Sequence, residues 1–73
     1  MAKLKPLPQR RIITILQDNG FEKIREGKHI TFKKIMDDGR ILTTWVPRHS
    51  EVTIFVIQYI IKQTEIPREE FES

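Results

Sequence analysis

Glu51-Val52-Thr53-Ile54-Phe55-Val56-Ile57-Gln58-Tyr59-Ile60-Ile61-Lys62-Gln63-Thr64 admits two readings, and the fold depends on which of them holds. Val52 through Ile57 is an unbroken run of residues that favour strands. Over the full length, however, Ile54, Ile57, Ile60 and Ile61 recur at helical spacing, with Gln58, Lys62 and Gln63 between them. The segment is also longer than a strand of roughly 4–8 residues. The spacing therefore predicts a helix over Val52–Gln63, with Ser50 as its N-cap. Its β-branched residues lower its intrinsic stability, and burial offsets that loss.

Working outward, Pro47 closes the preceding strand, because it has no N–H to give to a ladder. Arg40–Val46 is rich in Ile, Thr, Trp and Val and reads as that strand. Asp37-Asp38-Gly39 reads as a three-residue hairpin loop with Gly39 in the left-handed position, so His29–Met36 is the partner strand. If Met36 pairs with Arg40, every opposed pair follows. His29, Thr31, Lys33, Thr43 and Trp45 then share one face, and Ile30, Phe32, Leu42 and Val46 share the other. Phe21–Arg25 reads as a further short strand, joined to His29 by a tight turn at Gly27.

Before it, Ile12, Ile15 and Leu16 form a helical stripe within Gln9–Asn19. Pro8 suits the first turn of that helix, and Asn19-Gly20 ends it, with Phe21 expected to fold back onto Leu16. Ile66–Phe71 reads as a last turn that returns Phe71 to the core. The expected architecture is α+β, with the two-layer order α-β-β-β-α. A three-stranded antiparallel sheet carries two helices on one face and leaves the other open.

Seventy-three residues make a single domain, 1–73, which buries only about 60% of its extended surface on folding. Without cysteine there is neither a disulfide nor thiolate chemistry, and a reducing cytoplasm is the expected setting. No apolar run reaches the roughly 18 residues of a membrane span. Met1–Pro6 also lacks the apolar core of a signal peptide. Charge is segregated. Glu65, Glu69, Glu70 and Glu72 against Arg68 alone give a local −3, so with +3 for the whole chain the residues before Glu65 carry +6. A basic body with an acidic tail points to a polyanionic partner.

Cations concentrate around one histidine: Arg25, Lys28, Lys33 and Lys34 lie within a few residues of His29. A group titrating near neutrality and ringed by cations suits chemistry at a phosphate. Were that polyanion RNA, it would supply its own nucleophile, since its 2′-hydroxyl attacks the adjacent phosphate once a base removes the proton. His29 is the candidate base, with Lys28 and Lys33 stabilising the charge that builds on the phosphate. His29 falls opposite Pro47, so His49, two residues on, is a candidate second acid or base. No His, Asp or Glu cluster has metal-ligand spacing, and Asp37-Asp38 reads as turn chemistry, so neither a metal nor a cofactor is expected. Trp45 is either a base-stacking platform on the open face or, after a one-residue slip, a core residue. Tyr59 reads as packing. Arg11, on a solvated helix face, and Arg48 are further candidates for RNA contact.

Taken together, these elements resemble the HicA-type toxins (the YcfA/HicA family) of bacterial and archaeal toxin–antitoxin pairs. The resemblance rests on Leu7-Pro8 before an amphipathic helix, Leu16 followed by Gly20-Phe21, and Arg25. It continues through Gly27-x-His29-x-x-Phe32, Val46-Pro47-x-His49, Ile61-Lys62-Gln63 and Phe71. It implies a fold like the double-stranded-RNA-binding domain and metal-independent endoribonuclease activity on mRNA, with His29 as the catalytic residue. It also implies a HicB-type antitoxin as partner. Lys28 stands where the family commonly has Ser, Ile30 where a second His is frequent, and Phe55-Val56 where many members carry Gly-Thr. Two other functions fit the composition: an RNA-binding module of the same fold without catalysis, and a protein-interaction domain.

Overall fold

The computed structural model describes residues 3–72. In chain order the elements are β1 (Leu7–Pro8), α1 (Gln9–Asp18), β2 (Glu22–Glu26), β3 (His29–Ile35), β4 (Ile41–Pro47), β5 (Glu51–Val52) and α2 (Ile54–Thr64). A 3-10 turn, Arg68–Phe71, follows. β2, β3 and β4 form the expected antiparallel meander, with β3 in the centre.

The Met36–Arg40 closure sets the register. The Met36 N–H donates to the Arg40 carbonyl at 2.7 Å, and Gly39 takes φ +92°. Asp38 Oδ1 accepts the Arg40 N–H at 3.0 Å, which completes the turn. From there the ladder runs without slip from Ile35↔Ile41 to His29↔Pro47. Ile30, Phe32, Thr44 and Val46 are buried under the helices. His29, Thr31, Lys33, Thr43 and Trp45 lie on the opposite face. The one buried hydroxyl in this group finds a partner: Thr44 Oγ1 donates to Gln63 Oε1 on α2 at 2.8 Å. On the other side of β3, the pairing shifts between Lys23 and Arg25, a bulge that leaves Ile24 without an opposite residue.

α1 buries Ile12, Ile15 and Leu16 and ends as expected. The Gly20 N–H donates to Gln17 O and the Phe21 N–H to Leu16 O, both at 3.0 Å, with Gly20 at φ +87°. This is the double bond of a Schellman ending, and it delivers Phe21, 3% exposed, into the core.

α2 starts later than expected. Glu51 and Val52 are extended because they pair with Pro8 and Leu7, and the Ser50 carbonyl accepts the Gln9 N–H at 2.9 Å. Ser50 is thereby drawn into the junction with α1 and is not the cap. Thr53 is the N-cap, with Oγ1 accepting from the Val56 N–H. The strand preference of Val52 is thus expressed, but over two residues only. From Ile54 the helical spacing prevails, with Ile57 and Ile60 fully buried. Glu65 ends α2 in the left-handed region at φ +59° and ion-pairs with Arg40 of the hairpin.

The core extends into both flanks. Leu4 and Leu7 are buried, Phe71 is fully so, and Leu4 forms an isolated antiparallel bridge with Glu72. No described helix is long and apolar enough to cross a membrane.

Candidate nucleic-acid interface

β3 begins immediately after the Gly27-Lys28 turn, whose Gly27 N–H donates to the His29 carbonyl at 3.0 Å. Because His29 pairs with Pro47, the Arg48-His49 loop leaves β4 beside the start of β3. That loop is anchored from the N-terminal side: Gln9 Nε2 donates to the Pro47 carbonyl at 2.8 Å. The result is a concavity of about 390 Å³ that His29 and His49 both line, with Lys28 and Arg48 as its cations. Both histidines are exposed to solvent. Glu51, Thr53 and Val56 complete the wall on the α2 side.

A row of rings runs away from this concavity. Trp45 pairs with Thr31, two places along from His29, so the two rings are diagonal neighbours on the open face. Their centroids are 4.4 Å apart and their planes tilted by 52°. Tyr59 of α2 continues the row at 6.0 Å from Trp45, tilted by 53°. Such tilted contacts are a favoured aromatic geometry. Trp45 therefore belongs to the open face and is nonetheless half-buried, held between His29 and α2. On its far side, Trp45, Val56, Phe55 and Tyr59 border a second, shallow and open hollow of about 290 Å³ with an apolar lining.

The family model for the HicA toxin of bacterial toxin–antitoxin systems matches residues 10–66. The chain belongs to the HicA toxin family. No curated protein and no solved structure gives a match. The matched span of this HicA chain holds both histidines and Trp45, while Leu4, Leu7 and Phe71 of the core lie outside it.

The other residues singled out in the sequence are more scattered. Lys28 and Arg48 join His29 and His49. Arg25 is opposite Thr31 on the open face but does not line the concavity. Lys33 shares the face of His29 yet lies four residues away, about 13 Å along the strand, and lines a separate hollow near Glu22 and Ile24. It is therefore not beside His29, as the shared face alone had suggested. Lys34 points inward at the sheet margin, its Nζ 5.9 Å from the centre of the Phe21 ring. Arg11 is on the solvent side of α1, away from the concavity. Tyr59 is not core packing: it is 47% exposed and closes the aromatic row. Helical spacing shows which side of α2 faces inward. It does not show that the remaining side meets Trp45.

The Glu26 carboxylate, near the Arg48-His49 loop, is held charged. A hydrogen bond from Lys23 keeps the Glu26 carboxyl below its ordinary range; the Lys23 charge adds to this, and that of Arg48 contributes further. At the far hairpin, the Arg40 backbone N–H and guanidinium do the same for Asp38, as a turn aspartate should be held. Among the described residues, no three His, Cys, Asp or Glu side chains come together to hold a metal ion.

Proposed function

We propose that this HicA-family chain is an endoribonuclease that cuts mRNA in the cytoplasm without a cofactor, with His29 as its principal catalytic residue. The observation that supports this reading most is the shared concavity of His29, His49, Lys28 and Arg48. In the proposed reaction a neutral His29 nitrogen takes the proton from the 2′-hydroxyl, and the 2′-oxygen attacks the adjacent phosphorus. The bond from phosphorus to the 5′-oxygen then breaks, and that oxygen takes a proton from the His49 imidazolium. The products are a 2′,3′-cyclic phosphate and a free 5′-hydroxyl. Lys28 and Arg48 offset the charge on the phosphate as it builds. Each positioned acid or base supplies roughly 10²–10⁴-fold.

The test is cleavage of end-labelled RNA in the presence of chelator. His29→Ala should abolish cutting with the fold intact, and His49→Ala should slow it less severely. RNA carrying a 2′-deoxy sugar at the cleaved position should survive. A His29→Ala protein that cuts at the wild-type rate would defeat the assignment. As the partner we propose a HicB-type antitoxin that covers the basic open face, in keeping with the +6 charge on residues 1–64. Failure of an antitoxin encoded next to this chain to bind the wild-type protein would refute that pairing.

A further inference from the structure

We infer that the hollow bounded by Trp45, Phe55, Val56 and Tyr59 receives an unpaired nucleobase of the RNA cut at His29, and so makes the enzyme selective for single-stranded RNA. This rests on the endoribonuclease reading above and adds the substrate class to it.

Three observations lead there. First, the hollow is lined by apolar surface alone, and its aromatic walls are unusually open: Phe55 is 84% exposed and Tyr59 47%. Neither is required by the core, which α2 completes with Ile57 and Ile60. Second, the hollow adjoins the histidine concavity, because Trp45 and Val56 line both. Third, the two ends differ in character, with Lys28 and Arg48 at one and bare rings at the other. A nucleotide has the matching polarity, an anionic phosphate joined through a sugar to a flat π-surface. An apolar side chain of a protein would fill the hollow but bring no anion to Lys28 and Arg48, whose concavity holds Glu51 as its one carboxylate.

The chemistry of the walls also determines what can be read. The lining surface is apolar, so bases are held there chiefly by stacking and their identity matters little. Stacking requires a base free of its own helix, and bases within an A-form duplex are already stacked and paired. The fold is of a kind associated with duplex RNA, yet this face is built to take strands that are open at the point of cleavage. Purines, with the larger π-face, should be held somewhat better than pyrimidines.

Trp45 is the sole tryptophan and lines both the hollow and the concavity, so its fluorescence reports binding at either, and a strand lacking one base separates the two. Oligonucleotides made entirely of 2′-deoxy sugars lack the 2′-hydroxyl nucleophile and so are not cut by this reaction, which permits titration of the wild-type protein. A single-stranded oligonucleotide should quench Trp45. Removing one base to leave an abasic sugar at the bound position should weaken binding about 5- to 100-fold. The same strand within a duplex should quench poorly. Phe55→Ala and Tyr59→Ala should each weaken single-strand binding several-fold and leave the salt dependence of the affinity unchanged.

Equal affinity for abasic and intact strands would overturn the inference, as would wild-type RNA binding by Phe55→Ala. If that variant keeps its RNA affinity but no longer binds a protein partner, the face belongs to the protein and the inference fails. The two readings separate cleanly. Cutting of ribose RNA with no Trp45 response rejects the base site and leaves the nuclease standing. Trp45 quenching with no cutting does the reverse.

Discussion

Replacing Phe71 by alanine tests whether the flanks beyond the family match are part of the folding unit. Phe71 is fully buried at the end of the 3-10 turn, in the same core as Leu4, Leu7 and Ile66. Removing a buried phenylalanine ring costs about 3–5 kcal/mol, through lost transfer energy and the cavity left behind. At about 0.05–0.15 kcal/mol per residue, a chain of 73 residues has roughly 4–11 kcal/mol in total. The variant should therefore lose between about a quarter and all of its stability. Urea unfolding followed by Trp45 fluorescence measures this directly. With a slope near 1 kcal/mol per M for so small a chain, the midpoint should fall by about 3–5 M, or the folded baseline should vanish. Phe71→Leu, which keeps most of the volume, should cost less than about 1.5 kcal/mol. A midpoint within about 0.5 M of wild type for Phe71→Ala, on the same slope, would show that the terminal turn is a loose appendage and that the core closes without it.

Gly20→Ala should cost about 1–2 kcal/mol in the same assay. A Cβ there meets only the flexible Lys34 side chain at 3.4 Å, so the loss comes from the left-handed backbone and not from a clash. Acid should weaken the fold. Glu26 and Asp38 have folded pKa values below their ordinary 4.5 and 3.8, so the unfolded chain protonates first as pH falls. Their contribution is complete above that range and is lost on descending through the lowered values; Asp38→Asn should flatten this acid limb. Lys28→Ala and Arg48→Ala should each reduce the slope of log affinity for single-stranded RNA against log salt by about 0.7, as expected for the loss of one phosphate contact.

Legibility in the sequence followed the range of the interactions involved. The hairpin could be read residue by residue, because the closure around Asp37-Asp38-Gly39 is local and every opposed pair follows from it. The Asn19-Gly20-Phe21 ending was legible for the same reason. The β1–β5 pairing was not, since it joins Leu7 to Val52 and neither neighbourhood announces the other. That one missed ladder accounts for the misplaced cap at Ser50 and the late start of α2. At the site, His29, His49, Lys28 and Arg48 were reachable from the register and the short loop after Pro47. Phe55 and Tyr59 were not, because their role depends on how α2 lies against the sheet. Trp45 follows the register without a slip and lies on the open face, outside the core, where α2 half-covers it from the side.

The bulge in β2 bears on how this protein behaves when crowded. β2 is an outer strand, every residue of it exposed, and an outer strand with free N–H and C=O groups is a template for another chain. Regular spacing is what makes such a template usable. Here Ile24 interrupts it, and Glu22, Lys23, Arg25 and Glu26 place charge on both sides of the interruption. A second molecule adding itself to this margin would find its hydrogen bonds out of step after two residues. The irregularity thus acts as a safeguard against sheet-to-sheet polymerisation. Deleting Ile24, which would restore an even ladder with β3, should make the domain aggregate more readily as its concentration rises.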